Sequence, residues 1–434
     1  MLCSITKKHW MEIYNIITII ILLAAVFGYI NHRFIKLPGT IGIMLISLIA
    51  SLAVIGIGNI YPEFFTQTIQ SISAIDFNTV VLKVMLSFLL FAAAIHIDVK
   101  KLKSERMSII TFSTIGILIS TVTVGALLYA TTSLFGLKVN FLYCLIFGAL
   151  ISPTDPIAVV GILKKAKIPA SLETKISGES LFNDGVGVVL FITFYEIAKI
   201  GYENISIWKI IWLFIREAGG GLLLGWLLGY LCFYMIRSIN NYVVEVMLTL
   251  ATVMGGYTLA ELLHVSGPLA MVIAGLITGN KSLDQGVSEL TRDYLYKFWE
   301  MIDEVMNAIL FMLIGFEMLI VPFNLTLFWL GCIAIVIVLV ARFLSVSLPI
   351  MVLRRNSSFE KNAIPILTWG ALRGGISVAL ALSVPKYMYG EMFVSITYII
   401  VLFSIVGQGL TIGKFANKLS EKTSSIEEFP IAEL

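Results

Sequence analysis

Two groups of polar residues lie inside apolar stretches of this sequence and could together form one ion site. The first is the segment Ser152-Pro153-Thr154-Asp155-Pro156, and the second comprises Glu179, Ser180, Asn183 and Asp184. The two prolines of the first segment remove two backbone donors and interrupt a helix. At membrane depth, such backbone is tolerated only where it lines a cavity or is buried in protein. A carboxyl group there is costly and by default indicates a functional site, so we interpret the two groups as halves of one site.

The second group presents its polar side chains on one face of a predicted helix. Ser180, Asn183, Asp184 and Gly187 follow helical spacing, so this face carries a hydroxyl, an amide, a carboxyl and a gap. The pair Thr154-Asp155 of the interrupted helix could face them. All these groups offer oxygen ligands suited to a hard cation, and no thiolate or imidazole accompanies them. Desolvation favours the protonated carboxyl and a bound cation favours the ionised one, so proton and cation compete for one carboxylate.

The other charged residues of these stretches have more than one interpretation. Glu179 lies about 140° from Asp184 around the helix, so it faces elsewhere and needs a cation there. Arg342 and Arg373, in two later apolar stretches, could each supply that charge. Arg373 could instead neutralise the negative end of an interrupted helix. Asp155 could bind the cation directly or neutralise a helix N-terminus, and the residues alone leave both roles open.

The composition predicts a polytopic membrane protein. Of the 434 residues, 58% are hydrophobic and 13% are charged, whereas about 25% of residues in ordinary globular chains are charged. The net charge of +3 is small and no nucleic-acid-binding motif is present, so we expect no nucleic-acid partner. The four cysteines form no CxxC pair, so we expect neither a disulfide nor a metal cluster. Nothing in the sequence indicates a cofactor.

The apolar runs predict an all-α fold with about thirteen transmembrane helices. They cover approximately residues 12–30, 38–58, 77–97, 108–134, 141–163, 173–198, 208–236, 242–263, 266–280, 303–322, 326–353, 362–385 and 392–413. The fifth and twelfth runs are interrupted, the twelfth by the segment Thr368–Gly375. The connection 281–300 has the pattern of an amphipathic helix on the membrane surface, and a short charged tail follows from Lys414.

Charge and symmetry predict how these helices are arranged. Lys and Arg residues concentrate in alternate connections, for example at Lys100–Arg106 and Lys164–Lys167. By the positive-inside rule, the chain is then a multi-pass cell-membrane protein with its N-terminus outside and its C-terminus in the cytoplasm. The two interrupted helices hold equivalent positions in two triplets of opposite topology, helices 4–6 and 11–13. Such a pair is typical of transporters built from inverted repeats.

Three motifs carry a resemblance to a known family. They are the segment 152–156, Gly-Glu-Ser-Leu-Phe-Asn-Asp-Gly at Gly178–Gly185 and Trp-Gly-Ala-Leu-Arg-Gly-Gly at Trp369–Gly375. In these motifs the chain closely resembles NhaP-type and eukaryotic NHE-type sodium/proton antiporters, over most of its length. The resemblance implies a thirteen-helix, NhaA-like inverted-repeat fold, a homodimer, and a core that moves against a scaffold. The implied units are a scaffold of 1–106 and 242–325, a core of 107–200 and 326–413, a linking helix in 201–241, and a short cytoplasmic tail of 414–434.

The resemblance also implies roles for the site residues. The implied sodium ligands are Asp184, which carries the ion, and Asp155, Thr154 and Ser180, with Asn183 in support. It also implies that Glu179 and Arg342 form a structural ion pair. From its place in the interrupted twelfth helix, Arg373 is interpreted as a helix-dipole or gating residue.

The predicted function is secondary antiport of Na⁺ or Li⁺ against H⁺ across the lipid bilayer, not enzymatic catalysis. Superfamily members with two adjacent aspartates in the sixth helix tend to move two protons per sodium. Asn183 cannot titrate, so we predict electroneutral exchange of one proton for one cation. A K⁺/H⁺ antiporter is the alternative. A cation channel needs a multi-site pore, which a single titratable carboxylate does not provide, and the Gly-x-Gly-Asp motif of intramembrane aspartyl proteases is absent.

Overall fold

The computed structural model describes residues 2–58, 60–63, 66, 77–155, 157–165, 168–200, 207–284, 288–319, 321, 324–354, 359–360 and 362–427. Regular structure in these residues is helical, apart from one isolated bridge between two loop residues. Pro156, residues 285–287 of the predicted surface helix and residues 428–434 of the predicted tail lie outside the described residues.

Fifteen helices are labelled here, and most are long. They are α1 Leu2–Ile30, α2 Gly39–Gly58, α3 Phe77–Ile95, α4 Arg106–Leu134, α5 Phe141–Ile151, α6 Ile157–Lys165, α7 Ala170–Ile200, α8 Trp208–Arg237, α9 Tyr242–Leu263, α10 Gly267–Asp284, α11 Glu289–Glu317, α12 Leu325–Leu353, α13 Ala363–Trp369, α14 Gly375–Leu382 and α15 Gly390–Leu419. Within the described part of the chain, nine helices are long and apolar enough to cross a membrane: α1 to α4, α7 to α9, α12 and α15. The polytopic all-helical prediction is therefore confirmed.

Several helices are preceded by a residue whose side chain accepts a hydrogen bond from a backbone amide of the first turn. Asn140, Asn241 and Asn324 accept from the amides of the second helical residue in α5, α9 and α12, at 2.9, 3.1 and 2.9 Å. Ser288 accepts from the Thr291 amide at the start of α11, at 3.2 Å. Such caps satisfy amides that have no partner inside the helix, and they fix where each apolar run enters the bundle.

The helices form two packed groups that meet at α7. In one group α4 packs against α5 and α12, and α12 packs against α15. In the other group α2 packs against α11, and α10 packs against α3 and α8. Helix α7 contacts both groups, through α5 and through α10. The helix with the most polar predicted face is therefore at the junction of the two groups, as is α14, which contacts α3 and α11 as well as α5 and α15.

The prediction of a separate helix over residues 281–300 is wrong. Helix α10 extends to Asp284 and α11 is one uninterrupted helix of 29 residues, Glu289–Glu317. The physical reason is local: Ser288 caps the start, and no proline or glycine occurs between residues 289 and 314 to end the helix. The tail was predicted to begin at Lys414, but the last part of α15 belongs to a helical segment, Gly409–Glu427, that runs past this residue.

Candidate functional site

Two interrupted helices cross at their breaks. Helix α5 ends at Ile151 and α6 begins at Ile157, while α13 ends at Trp369 and α14 begins at Gly375. Both interruptions lie where the prolines and glycines of the sequence predict them. The Asp155 amide donates to the Leu372 carbonyl at 2.9 Å, as a single antiparallel bridge between the two extended segments. The crossing therefore leaves four helix ends, two of each polarity, close to one another in the interior.

Charged side chains lie at these helix ends with the complementary sign. Arg373 is 1% exposed, and its Nη1 donates to the carbonyls of Ser152 at 2.5 Å and Pro153 at 2.8 Å, just after α5. Helix C-termini carry partial negative charge, so the guanidinium compensates this end. Asp155 precedes α6 and lies against the residue that precedes α14, because a Cβ added at Gly374 would be 2.5 Å from Asp155 Oδ2. Its carboxyl group is thus near two positive helix ends.

Glu179 on α7 pairs with Arg342 on α12. Both guanidinium nitrogens take part, Nη1 with Oε1 and Nη2 with Oε2, the latter at 3.0 Å. The side chains are 2% and 9% exposed, so the two charges are desolvated together. Arg342 Nε also donates to the Leu367 carbonyl near the end of α13, at 3.2 Å. Of the two arginines considered from sequence, Arg342 forms this ion pair and Arg373 contacts the end of α5.

The polar face of α7 packs against the break between α5 and α6. Asn183 Nδ2 donates to Thr154 Oγ1 at 2.8 Å, and Asn183 Oδ1 accepts from the Thr154 amide at 3.4 Å. Ser180 Oγ lies 3.1 Å from Thr154 Oγ1. One turn further, a Cβ added at Gly187 would collide with the ring of Pro153, so the gap predicted in this face is the contact point of the break. The amide, the hydroxyl and the glycine hold the two halves of the site together.

The Asp184 side chain instead lines a cavity of about 550 Å³. The cavity is lined at one end by Asp155, Ser180 and Asp184, and it extends to Lys101 and Glu173 near the ends of two helices. Asp184 itself is 8% exposed. Thr154 and Asn183 are more deeply buried and are absent from the described lining. The structure therefore brings all five predicted residues of the ion site together, with three on the cavity and two behind them.

The charged side chains that line the cavity are predominantly acidic. Among its described residues the carboxylates are Asp98, Asp155, Glu173, Asp184 and Asp303, whereas Lys101 is the only lysine or arginine. A concave surface of one sign with low-dielectric walls concentrates ions of the opposite sign. The arrangement favours cations over anions in the space beside Asp184.

Two lining residues escaped the sequence analysis: Asp303 and Asn307 on α11. They are one helical turn apart and precede the strongly apolar run that begins at Ala308. An acid and an amide on one face at the start of an apolar helix are a recognisable signal. The prediction of a separate helix over 281–300 concealed this signal, because it placed Asp303 at the end of the membrane helix rather than within a longer helix.

Comparisons with known proteins find similar sequences over nearly the whole chain. A family model described as sodium/hydrogen exchanger, transmembrane, matches residues 21–418. The sequence is 48% identical over 414 residues to the Na⁺/H⁺ antiporter NhaP of Pseudomonas aeruginosa, covering 93% of this chain and 96% of the relative. It is 32% identical over 394 residues to the Na⁺/H⁺ antiporter NhaH of Halobacillus dabanensis, covering 89% and 93%.

The fold is also similar to a solved structure. The sodium proton antiporter MjNhaP1 from Methanocaldococcus jannaschii superposes with a TM-score of 0.70 at 19% sequence identity, over 96% of this chain and 99% of that chain.

Proposed function

The chain belongs to the transmembrane sodium/hydrogen exchanger family and is an NhaP-type Na⁺/H⁺ antiporter, and we propose that Asp184 holds its two ions in turn. The observation that carries this assignment is the contrast within α7: Glu179 has a bidentate partner, whereas Asp184 lines the cavity. A carboxylate that exchanges a proton for a cation needs access from solution and a desolvated setting in which both ions compete. Asp184, 8% exposed, has both properties.

In the proposed cation-bound state, Asp184, Asp155 and Ser180 supply oxygen ligands from the cavity wall. Thr154 lies behind the cavity wall, where it contacts Ser180 and Asn183, and would add its hydroxyl oxygen to the ligand set. Carboxylate and hydroxyl oxygens are the ligands that hard monovalent cations prefer. Asn183 holds Thr154 through two hydrogen bonds and so positions the ligand set rather than carrying charge.

The exchange cycle proposed here is alternating access. The group formed by α4 to α7 with α12 to α15 would move as a core against a scaffold of α1 to α3 and α9 to α11, linked by α8. Counting each interrupted pair as one crossing gives thirteen helices in an NhaA-like inverted repeat. Support comes from the two packed groups that meet at α7 and from the crossed breaks that α7 contacts. A homodimer would hold two scaffolds together while each core moves.

The orientation follows from charge. Connections rich in Lys and Arg face the cytoplasm under the positive-inside rule, which leaves the N-terminus outside and the C-terminus inside. The cavity reaches Lys101, which belongs to one of these basic connections. The conformation described here is then the inward-open one, with Asp184 accessible to cytoplasmic ions.

The proposed stoichiometry is one Na⁺ for one H⁺. Asn183 does not titrate, Glu179 is held by Arg342, and Asp155 lies at two positive helix ends that favour its ionised form. Only Asp184 then alternates between a proton and a cation. The check is flux in proteoliposomes under a potassium–valinomycin potential of either sign. Equal rates support the stoichiometry, whereas acceleration by one polarity means that a second group, Asp155 first, also carries a proton.

The assignment of Asp184 is tested by Asp184→Asn in proteoliposomes, with proton flux titrated against Na⁺, Li⁺ and K⁺. We expect exchange to fall at least about 100-fold, because an amide cannot hold a proton and a cation in turn, in a protein of unchanged size and helicity. Asp293→Asn is the matched control, because Asp293 is an exposed partner of Lys297 on α11. Substantial sodium-driven flux in Asp184→Asn would reject the assignment, and a preference for K⁺ would replace sodium as the cation.

A further inference from the structure

Asp303 and Asn307 form a polar pair on the α11 wall of the cavity. Both residues line the same space as Asp155 and Asp184, and the Asp303 side chain is close enough to interact with the Asn307 amide and with the charge of Asp155. The pair belongs to the helix group of α2 and α3, whereas Asp184 lies on α7. The cavity therefore has an acidic group on each of its two walls.

One oxygen of each side chain, Asp303 Oδ1 and Asn307 Oδ1, has no hydrogen-bond donor among the described residues. Asn307 is 2% exposed and donates its Nδ2 to the Asp303 carbonyl at 2.8 Å, so its Oδ1 is the end of the amide left for another ligand. Asn307 Oδ1 and Asp303 Oδ1 are both buried and accept no hydrogen bond from the described residues. Buried acceptors are nearly always satisfied in proteins, because leaving them unpaired is costly. Because the two oxygens lie on one helical turn, a single ligand could satisfy both of them.

A monovalent cation fits this pair better than a hydrogen-bond donor of the protein. A carboxylate and an amide oxygen are hard ligands, and the surrounding walls are acidic, so a cation gains from every nearby charge. The remaining ligands are waters that the cavity can hold, since its volume of about 550 Å³ exceeds that of many water molecules.

We propose that Asp303 and Asn307 form a second cation site, which accepts a partly hydrated Na⁺ from the cavity before its transfer to Asp184. The proposal rests on the assignment of Asp184 as the ion carrier. Because α11 belongs to the group proposed as the scaffold, this site stays on the cavity side when the core moves. It raises the local concentration of cation for one face of the transporter and carries no ion across.

The experiment measures the KM for Na⁺ on each side of the membrane. Asp303→Asn is compared with Glu304→Gln, the neighbouring acid of α11, which is exposed. In everted vesicles, where the cytoplasmic face is accessible, we expect Asp303→Asn to raise the KM about tenfold, equivalent to about 1.4 kcal/mol, with a maximal rate within about twofold. In right-side-out vesicles the KM stays unchanged. Glu304→Gln changes neither value.

Two results would overturn the proposal: an unchanged KM in everted vesicles, whether or not the maximal rate falls, or an equal rise in KM on both sides. Should Asp303→Asn fail to fold, Asn307→Asp provides the test, since an added carboxylate must lower the cytoplasmic KM, and an unchanged or higher value contradicts the site. Each of these results leaves the loss of exchange in Asp184→Asn intact, so failure here is distinguishable from failure of the proposed function.

Direct binding supplies a second readout. Purified Asp184→Asn is titrated with NaCl and followed by ²³Na line broadening. We expect saturable broadening that Asp184→Asn/Asp303→Asn lacks. Identical titrations of the two proteins would mean that water alone satisfies Asp303 and Asn307, and the second site would be rejected.

Discussion

Helix α7 carries two buried carboxylates five residues apart, Glu179 and Asp184, and their surroundings differ in one respect. Glu179 is held by both guanidinium nitrogens of Arg342, and neither group is more than 9% exposed. Asp184 faces a cavity, and Arg373, whose charge acts on it, is bound to backbone carbonyls at a helix end. A buried charge with a permanent counter-charge is a structural element. A buried carboxylate that faces a cavity instead has the setting expected of the proposed ion-binding residue.

The largest expected effect on stability comes from breaking the paired carboxylate. Glu179→Gln leaves Arg342 buried without its partner, and removal of one member of a buried ion pair costs about 3–5 kcal/mol. The free energy of unfolding is measured by denaturation in a fixed lipid–detergent mixture. Arg342→Gln is the companion variant, and the double variant should be no less stable than either single one, because the residues act as a unit. Additive losses would show that the pair does not couple.

The second largest effect concerns the helix end that Arg373 compensates. Arg373→Gln removes the positive charge and the guanidinium that donates to the carbonyls of Ser152 and Pro153. We expect the free energy of unfolding to fall by about 2 kcal/mol. Asp184 also loses a nearby positive charge, so the maximal exchange rate should change as well. Arg373→Lys keeps the charge and should recover part of both quantities. Normal stability and a normal exchange rate in Arg373→Gln would show that Arg373 neither stabilises this helix end nor affects Asp184.

A smaller effect is expected from the hydroxyl that joins the two halves of the site. Ser180→Ala removes one neutral contact with Thr154 Oγ1 and one cavity-facing oxygen, and we expect a stability loss of about 1 kcal/mol. The KM for Na⁺ should rise several-fold if Ser180 is a ligand. Ser133→Ala serves as the control, because this exposed serine only bonds a carbonyl within its own helix. An unchanged KM would assign Ser180 to packing alone.

The smallest stability effect is expected from Asp184, the carboxylate proposed to carry the ion. Asp184→Asn keeps the shape of the side chain and removes a desolvated charge, so the free energy of unfolding should change by less than about 1 kcal/mol or increase. The same denaturation series as for Glu179→Gln provides the comparison. A loss as large as that of Glu179→Gln would mean that Asp184 also has a permanent structural partner, and the contrast within α7 would disappear.

The outcome at particular residues shows which features could be read from the sequence. The interruptions at 152–156 and 368–375 followed from proline and glycine chemistry, which acts within a few residues of the backbone. The shared face of Ser180, Asn183 and Asp184 followed from helical spacing. The prediction of a separate helix over 281–300 was wrong because amphipathic patterning does not show where a helix ends, and here one helix continues from Glu289 to Glu317.

The choice between Arg342 and Arg373 as the partner of Glu179 could not be made from the sequence. Both arginines lie in apolar runs, and their distances to Glu179 depend on how α12 and the crossed break pack around α7. For the same reason the sequence did not separate Thr154, which lies behind the site, from Asp155, which lines the cavity beside it. Adjacent residues in extended backbone point to opposite sides, and only the packing decides which side is the cavity.

The sequence by itself determined that this chain is a helical membrane protein with polar residues at two helix breaks, because apolar run length, proline and glycine act locally. Its motifs also carried the resemblance to sodium/proton antiporters. Only the tertiary structure decided which charges meet: Arg342 with Glu179, Arg373 with the end of α5, and Asp303 with the cavity of Asp184. These contacts join residues more than 100 positions apart, and their energies depend on distance and desolvation, which no local pattern encodes.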